Sequence, residues 1–229
     1  MRNSPLPPFR QMIAVSFFLM TTVLVQAVPP GAAKLITEGR VNYQVDAKSL
    51  DPAVAQFLQN LSMVVYFSGD QLRVDMNMGL LGTTTTIADA KSGKTLTLMN
   101  MMGNKLAVNE IPEEAQDLKW TVETTNTVKT IAGYECRKTV VKSSQTSMVY
   151  YVTDKIAAPK IKTQFQLDIV DGYPLEIEMN NNGLAFTMIA TAVFPEAVPA
   201  SKFSQVIPAG YELMTPDEML QMLGGMMGQ

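Results

Sequence analysis

Alternation of apolar and polar residues is the main pattern along this chain, and residues 71–78 show it most clearly. Leu72, Val74, Met76 and Met78 share one face of an extended chain, while polar side chains fill the positions between them. This period of two predicts a half-buried β-strand. Ten further short runs are rich in the β-branched and aromatic residues that favour strands. They are residues 35–45, 63–67, 83–88, 95–99, 105–108, 127–131, 134–141, 147–153, 175–179 and 184–193.

Turn-forming residues lie between many of these runs. They are Ser68-Gly69-Asp70, Lys91-Ser92-Gly93, Gly103-Asn104, Asp171-Gly172 and Asn181-Asn182-Gly183. Short loops of this composition join antiparallel neighbours in a sheet. We therefore expect successive strands to pair antiparallel in a mostly β fold.

Two segments depart from the period of two and predict helices. In residues 51–61 the apolar side chains fall at helical spacing, Asp51 can cap the helix and Pro52 suits its first position. Residues 215–223 repeat this spacing behind Thr215, and two glycines follow. The predicted fold is a curved antiparallel sheet, a half-barrel, with two short amphipathic helices packed on its concave face.

The N-terminal residues predict a cleavable signal peptide over residues 1–27. Arg2 and Arg10 precede an apolar run of about 14 residues, residues 12–25. Val25 and Ala27 then supply the small side chains that signal peptidase requires before its cleavage site. A membrane-spanning helix needs about 20 apolar residues, so the run is short for an anchor. The prediction is a periplasmic or secreted protein that has no transmembrane anchor after signal cleavage.

Chain length and charge fit one exported domain. Removal of residues 1–27 leaves 202 of the 229 residues, which suits a flexible lead-in over residues 28–34, a single β domain over residues 35–214 and a C-terminal helix with a Met/Gly tail over residues 215–229. The remaining chain carries 16 basic and 21 acidic residues, a net charge of −5, and no basic run. This balance predicts no nucleic-acid partner and no attraction to an anionic membrane surface.

The composition predicts no catalytic residues and no cofactor. The chain has no histidine, which excludes Ser-His-Asp and Cys-His catalysis and imidazole metal ligands. No glycine-rich phosphate loop opens a helix. Glu176 and Glu178 alternate on one strand face, and we interpret them as a solvated surface rather than a glycosidase pair, because such pairs need opposed carboxyls in different environments. The protein is predicted not to be an enzyme.

The single cysteine, Cys136, cannot form an internal disulfide. Its lone thiol fits either a reactive nucleophile or intermolecular partner, or a small buried apolar side chain. We predict the buried side chain, because no histidine is present to activate the thiol.

Methionine is unusually common, with 17 residues in the chain. The clustered positions are Met76, Met78, Met99, Met101, Met102, Met179, Met188, Met214, Met219, Met222, Met226 and Met227. Three interpretations stay open: the side chains fill the core, they line an adaptable apolar cavity, or Met99-x-Met101-Met102 and Met219-x-x-Met222 are soft sulfur ligands for Cu(I). No cysteine or histidine accompanies these sulfurs.

Four short sequence segments along the chain together resemble those of a known family. They are residues 63–76, Ile131-Ala132-Gly133-Tyr134-Glu135-Cys136, Gly172-Tyr173-Pro174-Leu175-Glu176 and Ile207-Pro208-Ala209-Gly210-Tyr211. Their order resembles a domain-of-unknown-function family of exported proteins of Gram-negative bacteria. That family is similar in architecture to the periplasmic lipoprotein carriers LolA and LolB, so the resemblance implies a half-open antiparallel barrel lined with apolar residues. It supplies no catalytic residues, and the chain lacks the acylated cysteine of LolB-type proteins.

The leading functional hypothesis is a non-enzymatic periplasmic binding protein whose apolar concave face holds an acyl chain or a lipidated protein. The predicted ligand-binding residues are Leu72, Val74, Met76, Met78, Leu175, Ile177, Met179, Phe186 and Met188. One alternative is a structural or protein-interaction module of the cell envelope whose core is filled by its own helices. A further alternative is Cu(I) handling through methionine.

Overall fold

The computed structural model describes residues 34–49, 60–101, 103–109, 119–144, 146–161, 169–181, 184–219 and 221. These residues form one sheet of twelve strands. The strands are β1 (Glu38–Ser49), β2 (Ser62–Ser68), β3 (Gln71–Asn77), β4 (Gly82–Asp89), β5 (Thr95–Met101), β6 (Asn104–Val108), β7 (Thr121–Ile131), β8 (Tyr134–Lys142), β9 (Ser147–Thr153), β10 (Tyr173–Asn181), β11 (Leu184–Phe194) and β12 (Glu212–Met214). The predicted mostly β fold is therefore confirmed.

Strand order follows from two antiparallel meanders joined through β1. The order across the sheet is β12-β6-β5-β4-β3-β2-β1-β11-β10-β9-β8-β7. Strands β2 to β6 pair in sequence and so do β7 to β11, while β1 pairs with both β2 and β11. Only β12, which pairs with β6, adds to the sheet in parallel among the named strands. The prediction of antiparallel neighbours is confirmed for both meanders.

The sheet curls strongly around one end of the four strands β1, β11, β10 and β9. Phe67 on β2 and Tyr173 on β10 have ring centroids 6.0 Å apart. Strands three places apart in a flat sheet would lie roughly 14 Å apart. A parallel bridge also joins Ile36, just before β1, to Ile156, just after β9, through backbone hydrogen bonds of 2.9 and 2.8 Å. The face that carries Phe67 and Tyr173 is therefore concave.

The concave side, called here the inner face, holds the main hydrophobic core. Register places Val193, Val41, Val65 and Val74 opposite one another on β11, β1, β2 and β3. Alternate residues from these positions face the core, and those of β1 and β2 are nearly all fully buried. This alternation is the one expected when one side of an antiparallel sheet is covered.

The chain after β11 crosses the other side of the sheet, called here the outer face. A short 3-10 turn, Ala200–Phe203, places Phe203 and Val198 against Ile87, and Tyr66 packs beside them. Arg73 donates a hydrogen bond to the backbone oxygen of Lys202 at 3.2 Å. This crossing returns the chain to the far edge, where β12 pairs with β6.

The predicted helices are only partly covered by the described residues. The helix of residues 51–61 lies outside them except for its last two positions. At the C-terminal helix, residues 216–219 are helical, and Thr215 and Glu218 cap each other: the backbone N–H of Thr215 donates to Glu218 Oε2 at 2.8 Å, and that of Glu218 donates to Thr215 Oγ1 at 3.3 Å. A pair of amphipathic helices on the concave face is thus not shown. Within the described ranges, no helix has the length and apolar character to cross a bilayer.

The strand boundaries differ from the prediction at both sheet edges. β7 begins at Thr121 rather than at residue 127, because its polar first half is an exposed edge strand that does not alternate. β12 has three residues and was not predicted. The predicted signal peptide and all of the lead-in except Lys34 lie outside the described residues.

Candidate functional site

The structure brings eight of the nine predicted ligand-binding residues into one cluster on the inner face. Four are buried, Leu72, Leu175, Ile177 and Met188, and four are half-buried against them, Val74, Met76, Met179 and Phe186. The ninth, Met78, is half-buried directly after β3 and precedes the 3-10 turn Gly79–Leu81. These positions form a continuous apolar surface. That they bind a ligand stays a prediction.

Register explains why residues so distant in sequence meet. Met179 lies opposite Phe186, and Ile177 lies opposite Met188, in the β10–β11 pair. Met76 lies opposite Met63, on β2. Curvature then tilts β2 towards β10 across the concave face, as the contact between Phe67 and Tyr173 shows.

The inner face carries no charged side chain at its described positions on β1 to β6 and β9 to β11. Two exposed charged residues share this face near the sheet edges, Arg137 on β8, opposite Val152, and Glu212 on β12, opposite Leu106. Its polar groups are mostly threonine hydroxyls, and Thr86 Oγ1 lies 3.4 Å from Thr97 Oγ1 on the neighbouring strand. A surface of this kind favours an uncharged apolar ligand, since a buried charge without a partner is strongly unfavourable.

Two tyrosines close the curled end of the inner face. The Tyr43 hydroxyl donates a hydrogen bond of 2.8 Å to the backbone oxygen of Pro174. Burial raises the pKa of Tyr43 well above its usual value, and the neighbouring Tyr173 adds to the rise. Burial likewise raises the pKa of Tyr173. Both hydroxyls therefore stay neutral at physiological pH, and that of Tyr43 satisfies a buried backbone acceptor.

Glu176 is not a solvated surface residue, contrary to the sequence-based interpretation. It is 3% exposed, and Lys129 Nζ donates to both of its carboxylate oxygens, at 2.8 and 2.6 Å. The Lys129 ammonium also lies 4.9 Å from the centre of the Tyr151 ring. Burial, then the neighbouring Glu176, raises the pKa of Glu178. Lys129 thus forms hydrogen bonds to both carboxylate oxygens of Glu176, and this ion pair joins β7 to β10.

Cys136 is fully buried in the main core cluster, as predicted. Burial is the largest cause that raises the pKa of its thiol to about 11, and the negative charge of Glu176 contributes. The thiol is therefore protonated at neutral pH. A protonated, buried thiol is a poor nucleophile, which agrees with a structural role.

Met214 and Met219, the described methionines of the C-terminal segment, lie apart from this surface. Met219 and Met214 pack against a separate cluster of Met99, Leu106 and Val108 at the β5–β6 side of the inner face. The described part of the predicted C-terminal helix therefore packs on the inner face, but at its β5–β6 side and away from Phe186 and Met188. The cause is β12, whose pairing with β6 starts the helix at the opposite end of the sheet.

Residues that sequence analysis did not single out complete the inner face. Tyr43 and Tyr150 are buried there, and the Tyr150 hydroxyl donates to Met148 Sδ at 3.2 Å. Strand alternation was the available signal for both. Lys129 carried no such signal, because its partner Glu176 is 47 residues away. Among the described residues, no group of three or more His, Cys, Asp or Glu side chains is arranged to hold a metal ion.

Comparison with protein families gives one match. The family described as a domain of unknown function, DUF4412, matches residues 53–211, which is more than half of the chain. The chain belongs to the DUF4412 family. The predicted resemblance to a domain-of-unknown-function family is thereby confirmed. No curated protein shows significant similarity to this DUF4412 chain.

Solved structures show where this fold recurs. Two crystal forms titled PNGF-II are similar to this DUF4412 chain, with TM-scores of 0.50 and 0.51 at 14% and 12% identity. Each covers 80% of this chain, which spans about a third of the PNGF-II chain, at 32% and 33%. A LolA superfamily protein, NE2245 from Nitrosomonas europaea, has a TM-score of 0.27 at 8% identity. That match covers 76% of this chain and 93% of the NE2245 chain. At these identities the likeness to PNGF-II concerns the fold alone.

Proposed function

We propose that this DUF4412 protein is an exported, non-enzymatic binding protein that holds the acyl chain of a lipid or of a lipidated protein on its inner face. The observation that carries the proposal is the row of half-buried apolar side chains beside the closed core. Met179 and Phe186 form its β10–β11 side, and Val74 and Met76 form its β3 side.

The shape and chemistry of this surface support an acyl ligand. The surface is concave, continuous and uncharged, and its Met side chains are flexible enough to adapt to a long, variable chain. Pockets for apolar ligands are lined in this way, with few polar groups. A ligand that covers this half-buried apolar margin also removes apolar surface from water. That burial favours binding by about 25 cal/mol per Å².

Two lysine substitutions on one strand test the proposal. Met179→Lys places a charge on the inner face, while Asn180→Lys places the same charge on an exposed position of the other face. Binding of a fluorescent fatty acid should weaken on the order of tenfold or more in Met179→Lys, because the ligand would cover an unpaired charge. Asn180→Lys should bind like the unchanged protein, and circular dichroism should show the same β content for both.

Mass spectrometry of the protein purified from its host supplies an independent reading. We expect a co-purified lipid that is reduced in Met179→Lys and retained in Asn180→Lys. Absence of lipid in the unchanged protein, together with no fatty-acid binding in solution, would reject the carrier and favour an envelope interaction module with a self-filled core.

A further inference from the structure

Four methionine side chains from three parts of the chain meet at the β5–β6 side of the inner face. Met99 and Met101 lie on β5, Met214 on β12 and Met219 in the helical turn that follows. All four belong to the cluster built around Leu106 and Val108. The sequence shows two separate methionine motifs, and the fold joins one to the other.

Strand register and one helix cap place these side chains. Met99 lies opposite Leu106, and Val108 lies between Thr97 and Met214, so β12 presents Met214 to the inner face. The mutual cap of Thr215 and Glu218 then begins a helix, in which the Met219 N–H donates to the Thr215 oxygen at 3.1 Å. The helical turn brings Met219 back over the cluster that holds Met214.

This methionine cluster is separate from the main core. Val74, at the margin of the main core, is followed across the sheet by Thr86, Thr97 and then Val108. In this row two threonines lie between the main core and the methionine cluster, and in the neighbouring row Thr84 alone lies between Met76 and Met99. Met99 is 5% exposed, whereas Met101, Met214 and Met219 are half-buried. Side chains that only fill a core are usually closed to solvent, but three of these side chains are partly exposed.

The chemistry of the donor set points to a soft monovalent cation. Thioether sulfur is neutral and polarizable, and it selects Cu(I) over the hard divalent cations, which require several oxygen ligands. Zinc sites need thiolate, imidazole or carboxylate ligands. The chain has no histidine, and its one cysteine, Cys136, lies in the main core cluster instead.

We propose that Met99, Met101, Met214 and Met219 form a thioether site for Cu(I), independent of the acyl-binding surface. Ligation adds no charge from the protein and changes no oxidation state, so the ion keeps its positive charge. Ag(I), which has the same charge and a filled d shell, is a redox-inert probe of the same site.

Titration of the full chain with Ag(I), and with Cu(I) held by ascorbate against a colorimetric chelator, tests the site. The unchanged protein should bind one ion and should not bind Zn²⁺. The triple variant Met101→Leu/Met214→Leu/Met219→Leu should lose binding with unchanged circular dichroism, because Leu and Met have similar volumes. Met63→Leu, in the main core cluster, is the matched control and should bind like the unchanged protein.

A second measurement needs no variant. Ag(I) should slow peroxide oxidation of Met101, Met214 and Met219 to the sulfoxide, whereas Met179, which is half-buried on β10 against the main core, should oxidise at the same rate with and without the ion. Peptide mass spectrometry measures each rate. Equal Ag(I) binding by the triple variant, equal protection of Met179, or equal affinity for Zn²⁺ would each overturn the proposal.

Discussion

Lys129 on β7 donates hydrogen bonds to both carboxylate oxygens of Glu176 on β10, although β8 and β9 lie between these strands in the sheet. The register of the β7–β8 pair shifts between Thr124 and Val128, and this irregularity lets the second half of β7 bend over the sheet. The ion pair then fixes the bent hairpin at the curled end. Glu176 alternates along β10 with the inner-face residue Ile177, so this polar contact joins β7 to β10 across the outer face.

Removal of the lysine should destabilise the fold. Lys129→Met leaves Glu176 buried without its donor, and we expect a loss of about 1 to 3 kcal/mol in the free energy of unfolding. Urea denaturation measures it. Lys105→Met, at an exposed lysine of β6, is the control and should change stability by less than about 0.5 kcal/mol. The double variant Lys129→Met/Glu176→Leu should recover part of the lost free energy of unfolding. If it recovers none, the Lys129–Glu176 ion pair is not the cause of the destabilisation.

Cys136 should be inert in the native protein. Its thiol is buried and its pKa is raised to about 11, so we expect reaction with a thiol reagent only after unfolding. Cys136→Ser should lower stability by about 1 to 3 kcal/mol, because the hydroxyl is buried among apolar groups. Rapid labelling of the native protein would contradict the burial.

Stability should fall in alkaline solution. The pKa values of Cys136, Tyr43, Tyr173 and Lys129 are all raised in the folded protein, the first three mainly by burial and the fourth by its hydrogen bond to Glu176. The unfolded chain therefore releases these protons at lower pH than the folded chain, and their contribution to stability is complete below pH 9 and decreases above it.

Cysteine accounts for the first part of this alkaline loss. The Cys136 thiol has an ordinary value of 9.0 and a folded value of about 11, so its contribution should disappear between these two pH values. Melting temperatures measured from pH 7 to 11 should decline less steeply for Cys136→Ala than for the unchanged protein. If the melting temperatures of Cys136→Ala and of the unchanged protein decline equally with pH, the thiol does not cause the alkaline loss of stability.

Deletion of residues 215–229 should leave the sheet intact, because all twelve strands precede the deletion. Loss of Met219 uncovers Met99, Leu106 and Val108, so binding of an apolar dye should increase. Deletion of residues 224–229 alone keeps Met219 and serves as the control. Since this cluster lies apart from Phe186 and Met188, fatty acid should not displace the added dye. Cooperative loss of the β signal would instead make the helix part of the core.

Export should leave a processed N-terminus at or near Val28. Val25 and Ala27 provide the small residues that signal peptidase needs before the cut. N-terminal sequencing of protein from the periplasmic fraction measures the start. Retention of Met1 in a membrane pellet would reject the signal peptide in this form.

The sequence by itself determined most of the strands and most of the candidate surface. Alternation placed Leu72, Val74 and Met76 on one face of β3, and the structure confirms it, because a period of two is a local property of any half-buried strand. Turn residues such as Gly69 and Gly93 likewise predicted the β2–β3 and β4–β5 hairpins. These two glycines adopt φ values of +56° and +71°, a local requirement of the turns. The burial of Cys136 followed from the apolar character of a free thiol.

Only the tertiary structure decided which surfaces meet. The Lys129–Glu176 pair, the contact between Phe67 and Tyr173, and the position of Met219 on the β5–β6 cluster all join residues far apart in the chain. No local pattern records such contacts, because they depend on strand order and on the curvature of the sheet. The three-residue strand β12 shows this most clearly: its parallel pairing with β6 directs Met214 and Met219 away from Phe186 and Met188 and towards Met99.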